Sequence, residues 1–191
     1  MPRIPLPSSR EDLDEAGQAV WDTVVSGRRG RVVGPLRAAL HNPDLARRWS
    51  ALGEVLRYGT GLGPRLSELA ILVTGRRWSA QVEWFVHARV AAEAGLEAGV
   101  IGAIRDGRAP PFTGPDDALV YEYARLLLQE GDVTPELHAR AVARFGGVGV
   151  LTEALVETPT PTQPSPARGG GLVYWLKASS SWRTLPRARG R

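Results

Sequence analysis

The chain has 191 residues, a length that suits one globular domain with a substantial core, and it contains no cysteine. The missing cysteine excludes disulfides, thiolate nucleophiles, Fe–S clusters and Cys-ligated zinc, leaving His, carboxylates, hydroxyls and Arg for chemistry. The net charge of +4 is unevenly placed: six of the 24 basic residues and none of the 20 acidic ones lie from Thr158 onward, so residues 1–157 are net acidic.

The N-terminal stretch carries Pro2, Pro5, Pro7 and a cluster of charges and has no apolar run of signal-peptide type. No window approaches the roughly 18 apolar residues of a membrane span. A cytoplasmic protein with no membrane or nucleic-acid partner is therefore expected. Segment 11–26 reads as a first helix, with acidic residues in its first turn and Leu13, Ala16, Val20 and Val24 on one stripe. Gly27 to Gly34 is a Gly/Arg loop. A second helix is predicted over 43–58, capped by Asn42 with Pro43 in the first helical position, burying Leu45, Trp49, Leu52 and Leu56. Gly59, Gly61 and Gly63 end it.

Pro64 starts a third helix that runs to Trp78, and Ser79 is placed to cap a fourth over 80–94, stopped by Gly95. Ala98 to Arg105 makes a short helix, followed by a Pro-rich connector from Arg108 to Pro115. Asp116 or Asp117 opens the next helix, to about Gly131, in which Glu122, Tyr123 and Arg125 read as an ordinary surface. Thr134 and Pro135 open another to Phe145, and three glycines then precede an apolar piece over 150–156. No period-2 pattern competes, so the fold class is all-α, a helical bundle over 1–157. The tail 158–191 is Pro/Gly/Ser-rich and basic, and is expected to be disordered or irregular because it cannot bury enough to repay ordering.

Glu83 and His87 are spaced i, i+4 and share a helix face with Ala80 and Trp84, while Glu68 and Arg65 sit in the preceding helix. A short connection at 75–79 would fold the two helices together and bring three titratable groups to one place. His41 and His138 are read as structural, and Tyr58, Trp84 and Phe85 as core aromatics more readily than substrate platforms. One Glu–His pair with Glu68 is a thin ligand set, so no metal and no cofactor is assigned.

The run Glu68, Ala80, Glu83, His87 has the spacing of the Glu-x11-Cys-x2-Cys-x3-His motif of the alkyl hydroperoxidase D-type proteins. With RLSELAIL, QVEWFVHARVAAEAGL and VIGAIRDGRAPPF around it, the chain resembles the cysteine-free branch of the carboxymuconolactone decarboxylase family over roughly residues 35–157. That resemblance implies an alkyl hydroperoxidase D-like bundle, trimeric or hexameric, with Glu68 and His87 as proton-relay acid and histidine. Ala80 and Glu83 replace the redox cysteines, which removes thiol peroxidase chemistry. The implied activity is that of a lyase in aromatic-compound catabolism, performing decarboxylation or proton transfer on a small carboxylated lactone or oxo acid. Glu68, Glu83 and His87 are its expected catalytic residues, with Arg65 and Trp84 binding substrate. The alternative is a non-catalytic small-molecule-binding or scaffold protein of the same fold. Relatives continue past the position of Leu155 into a closing apolar helix, whereas this chain turns to Thr-Pro repeats, as a frameshift or insertion would produce.

Overall fold

A computed structural model describes residues 5–59 and 61–156, without the side chains of residue 148 and residues 151–156. The expected tail, 158–191, lies outside the described residues. The chain divides into two compact units, Met1–Gly59 and Thr60–Arg191. Among the described residues every regular element is a helix, and no helix is long and apolar enough to cross a membrane.

The first unit holds α1 (Glu15–Ser26), α2 (Pro35–Ala39) and α3 (Pro43–Tyr58). Helix α1 begins later than its acidic run suggests because Asp14, not an earlier residue, accepts the Gly17 N–H at 2.8 Å as cap. Residues Arg10–Asp12 form a separate 3-10 turn, in which the Asp12 carboxylate takes the N–H groups of Ser8 and Ser9. Helix α2, absent from the sequence reading, starts at Pro35 after Gly34 and buries Leu36 and Ala39. It is too short to show a helical period. In α3 the bounds and the Asn42 cap agree with expectation, but the buried stripe does not: Leu45 and Leu52 are about half exposed, at 51% and 50%. The inward line passes instead through buried Ala46 and partly buried Trp49, which meet Val20, Val24, Leu36 and Leu40 from α1 and the α2 region. Beside this core the Arg29 guanidinium occupies the place that a Cβ on Gly53 would take.

The second unit holds α4 (Gly63–Arg77), α5 (Gln81–Glu93), α6 (Ala98–Arg105), α7 (Pro115–Glu130) and α8 (Pro135–Val156). Helix α4 is its centre, packing against α5, α6, α7 and α8. Its residues Leu66, Ser67, Glu68, Leu69, Ala70, Leu72, Val73 and Gly75 are all buried, so it is enclosed on most of its circumference. Leu69, Leu72 and Val120 are essentially sealed, each contributing about 1.5–3 kcal/mol by burial. Helix α5 starts at Gln81 and not through a Ser79 cap: Ser79 takes φ +53 at the turn, and no side chain caps the helix. Asp116 and Asp117 lie in the first turn of α7 without serving as its cap, because their carboxylates reach Arg144 and Arg65. Tyr123 is 2% exposed and belongs to the core with Leu119, Leu137, Ala141 and Val150, so it is not the surface residue expected. Phe85 and Tyr58, read as core, are exposed. Helix α8 is capped by Thr134, whose Oγ1 accepts the Leu137 N–H, and it breaks where the glycines predict, at Gly146 with φ +72.

Two measurements check these contacts. Gly53→Ala should raise stability by roughly 0.5–1 kcal/mol in urea unfolding, since the helix gains propensity while the displaced Arg29 tip forfeits little: its buried Nε has no hydrogen-bond partner. Asp116 is held below its ordinary value of 3.8 by its paired hydrogen bonds from Arg144, at 2.7 and 2.6 Å. The depressed carboxyl adds stability that is present above pH 3.8 and lost as pH falls through the lower folded value. Between pH 6 and pH 3 the native protein should therefore lose more stability than Asp116→Asn.

Candidate functional site

Helix α4 delivers Glu68 into the core because most of that helix is enclosed, and a carboxylate there needs a partner. The partner comes from α5. The connection Trp78–Ala80 is short, and the left-handed Ser79 together with the Ala80 N–H bonding to the Gly75 carbonyl at 2.9 Å turns the chain sharply back. Helix α5 then lies against α4, with Ala91 in the core and His87 one turn before it, facing Glu68.

His87 Nδ1 lies 2.7 Å from Glu68 Oε2, and both residues are buried, at 3% and 8% exposure. On the other side of the ring, His87 Nε2 lies 3.4 Å from Glu83 Oε2, one turn earlier on the same helix. The Glu83 side chain is 40% exposed, against 4% for His87. The three sequence-predicted acid/base residues thus form one line, Glu68–His87–Glu83, running from the core to solvent. An imidazole with one proton donates to one carboxylate and turns a lone pair toward the other; both contacts are satisfied together when the three groups share two protons. Such a line can hold a proton inside and exchange it at Glu83.

The two predicted substrate-binding residues are placed differently. Arg65 Nη1 pairs with Asp117 of α7, whose side chain is 11% exposed, so this guanidinium anchors a nearly buried carboxylate. Asp117 is the residue that sequence reasoning missed: the Asp-Asp pair after Pro115 has the pattern of helix-start acids, and its long-range partner leaves no local signal. Trp84 is partly buried and packs on the core around α4. Of the other histidines, His41 Nε2 meets the Pro5 carbonyl at 2.6 Å, and His138 Nδ1 meets the Tyr123 hydroxyl at 3.2 Å. Among the described residues no group of three or more His, Asp or Glu is arranged to hold a metal.

Two cavities, of about 120 and 340 Å³, are lined by residues other than this line. The smaller lies between α1 and α3, beside Arg28, Arg29 and Glu54, and the larger between α4, α6 and α7. No protein-family model, curated protein or solved structure matches the chain.

The burial gradient along the line sets an order of stability costs. Glu68→Ala, which strips a buried ring nitrogen of its carboxylate and leaves a void, should cost about 2–4 kcal/mol. Glu68→Gln, which keeps one hydrogen bond, should cost about 1 kcal/mol, and Glu83→Gln less than about 0.5 kcal/mol. Urea unfolding of the three variants checks the order; equal costs at positions 68 and 83 would contradict it.

Proposed function

We propose that the chain is a carboxymuconolactone decarboxylase-like enzyme of alkyl hydroperoxidase D-like fold, using Glu68, His87 and Glu83 for proton transfer on a small carboxylated lactone or oxo acid. The observation that carries this reading is the buried Glu68–His87 hydrogen bond continued to a half-exposed Glu83. It is supported by the motif spacing of Glu68, Ala80, Glu83 and His87.

In this reading Glu68 fixes the imidazole from inside through Nδ1, and Nε2 exchanges its proton with Glu83. Glu83, the most exposed of the three, is the group that meets the substrate. Loss of CO₂ from a carboxylated lactone or oxo acid leaves an electron pair at carbon that must be protonated. A donor held in place supplies that proton and contributes about 10²- to 10⁴-fold. With no sulfur in the motif, the same scaffold moves protons and not electron pairs between thiols. Arg65 is committed to Asp117, so in this reading it stiffens the α4–α7 contact beside the site and the substrate carboxylate is met elsewhere. A homo-oligomer of three or six copies belongs to the same proposal.

A non-catalytic reading is favoured by one observation, the 4% exposure of the His87 side chain, which is also what a purely structural buried pair would show. The two separate in D₂O. The full chain is incubated with unsaturated lactone carboxylates and oxo acids while CO₂ release and deuterium uptake are followed. The acid/base reading expects turnover with deuterium in the product, falling about 10²- to 10⁴-fold in His87→Ala. Turnover unchanged in His87→Ala, or none by the folded protein, assigns the line to structure.

A further inference from the structure

The larger cavity has a composition that the acid/base line does not use. It is about 340 Å³ and is lined by Arg76 and Arg77 from α4, Arg108 after α6 and Arg125 from α7, with no carboxylate in its wall. Its floor is apolar: Ile104 is buried in the core around α4, against which Tyr121 and Leu128 pack. Four like charges around one hollow repel one another unless something neutralises them. Arg108 is paired with Asp106 at 2.9 Å. Among the described residues, Arg76, Arg77 and Arg125 have no carboxylate partner: Arg76 Nε donates to the Arg105 carbonyl, Arg77 lies over the Trp78 ring, and Arg125 Nη1 donates to Gln129. Each contact uses few of the five N–H donors that a guanidinium carries.

Helix-end electrostatics accounts for part of this. Arg76 and Arg77 stand in the last turn of α4, where a cation is favoured by the helix dipole. Arg125 stands well inside α7 and gains nothing from a helix end, yet it lines the same hollow. The hollow is about half open to solvent, and its volume falls at the low end of the range of small-molecule sites, which combine apolar lining with a few polar groups.

We propose that this cavity binds a small organic anion, a carboxylate or phosphate monoester head on a flat apolar body. The head would be gripped by Arg77 and Arg125, and the body laid on Ile104, Tyr121 and Leu128. Guanidinium groups match both oxyanions through paired hydrogen bonds, and the apolar side chains add affinity only for an anion that carries an apolar body to bury. The site is independent of the Glu68–His87–Glu83 line.

Isothermal titration of the full chain tests it with four probes: 2-naphthoate, 2-naphthyl phosphate, 2-naphthalenemethanol and inorganic phosphate. Saturable binding of at least one of the two naphthyl anions is expected, about ten-fold or more tighter than the neutral alcohol and inorganic phosphate; the ratio of the two anions tells carboxylate from phosphate. The double substitution Arg77→Gln, Arg125→Gln should weaken that binding at least about ten-fold. Both positions lie on the helix surface, and circular dichroism checks the fold. Absence of saturable binding, or equal affinity in the arginine double variant, would overturn the assignment.

Discussion

The enclosure of α4 is the constraint from which the second unit follows. A helix packed by α5, α6, α7 and α8 leaves little of its surface to water, so its sequence must be apolar or small at nearly every position between Leu66 and Gly75. Two buried polar side chains interrupt that rule, Ser67 and Glu68, while half-buried Thr74 turns its hydroxyl back to the Ala70 carbonyl. A carboxylate costs too much in such a setting to stand alone, and the His87 ring at 2.7 Å is what makes Glu68 tolerable. The geometry of α5 is tied to the same requirement. The sharp turn at Ser79 and the register that puts His87 opposite Glu68 are both needed to close that hydrogen bond. A second nearly buried carboxylate, Asp117, is met from the same helix by Arg65 one turn earlier, so α4 contributes one member to each of these two polar contacts.

What was legible in the sequence follows from whether the determining contact is local. The bounds of α3, the Thr134 cap, the short helix α6 and the break at Gly146 are set by residues within a turn of the feature, and each was readable. The convergence of Glu68, Glu83 and His87 was readable for a related reason: one pair is fixed by helical spacing, and the third member follows from a connection too short to send α5 elsewhere. The expectation missed what depends on distant partners. Asp116 and Asp117 look like helix-start acids, and only Arg144 and Arg65, far off in the chain, turn them into cross-links. Tyr123 stands between Glu122 and Arg125 and looks exposed, but α8 covers it with Leu137 and Ala141.

The face of α3 shows how periodicity can give the right helix and the wrong side. Leu45, Trp49, Leu52 and Leu56 recur at helical spacing, yet Ala46 is the buried residue and Leu45 and Leu52 stand half exposed. A stripe of large apolar residues records where burial would be rewarded most; the neighbouring helices decide where it happens. Here α1 and the brief α2 supply that neighbour, and Ala46 lets them approach closely. Helix α2 itself spans Pro35–Ala39, fewer residues than one would need to see a period at all.

The position of Glu83 bears on why the proposed site has the chemistry it does. It lies in the first turn of α5, where unpaired N–H groups and the helix dipole favour a negative charge. That field does not discriminate between anions: it would lower a thiol toward thiolate as readily as it stabilises a carboxylate. What separates the two is the chemistry available afterwards. A thiolate there would need a second sulfur one turn back to form a disulfide, and Ala80, buried at the foot of the helix, offers only a methyl group. A carboxylate needs no such partner, because its reversible step is gain and loss of a proton, and in the proposed reading His87, 3.4 Å away, is its exchange partner. In the proposed reading, Ala80 and Glu83 at these positions make the segment a path for protons between the buried Glu68 carboxylate and the surface.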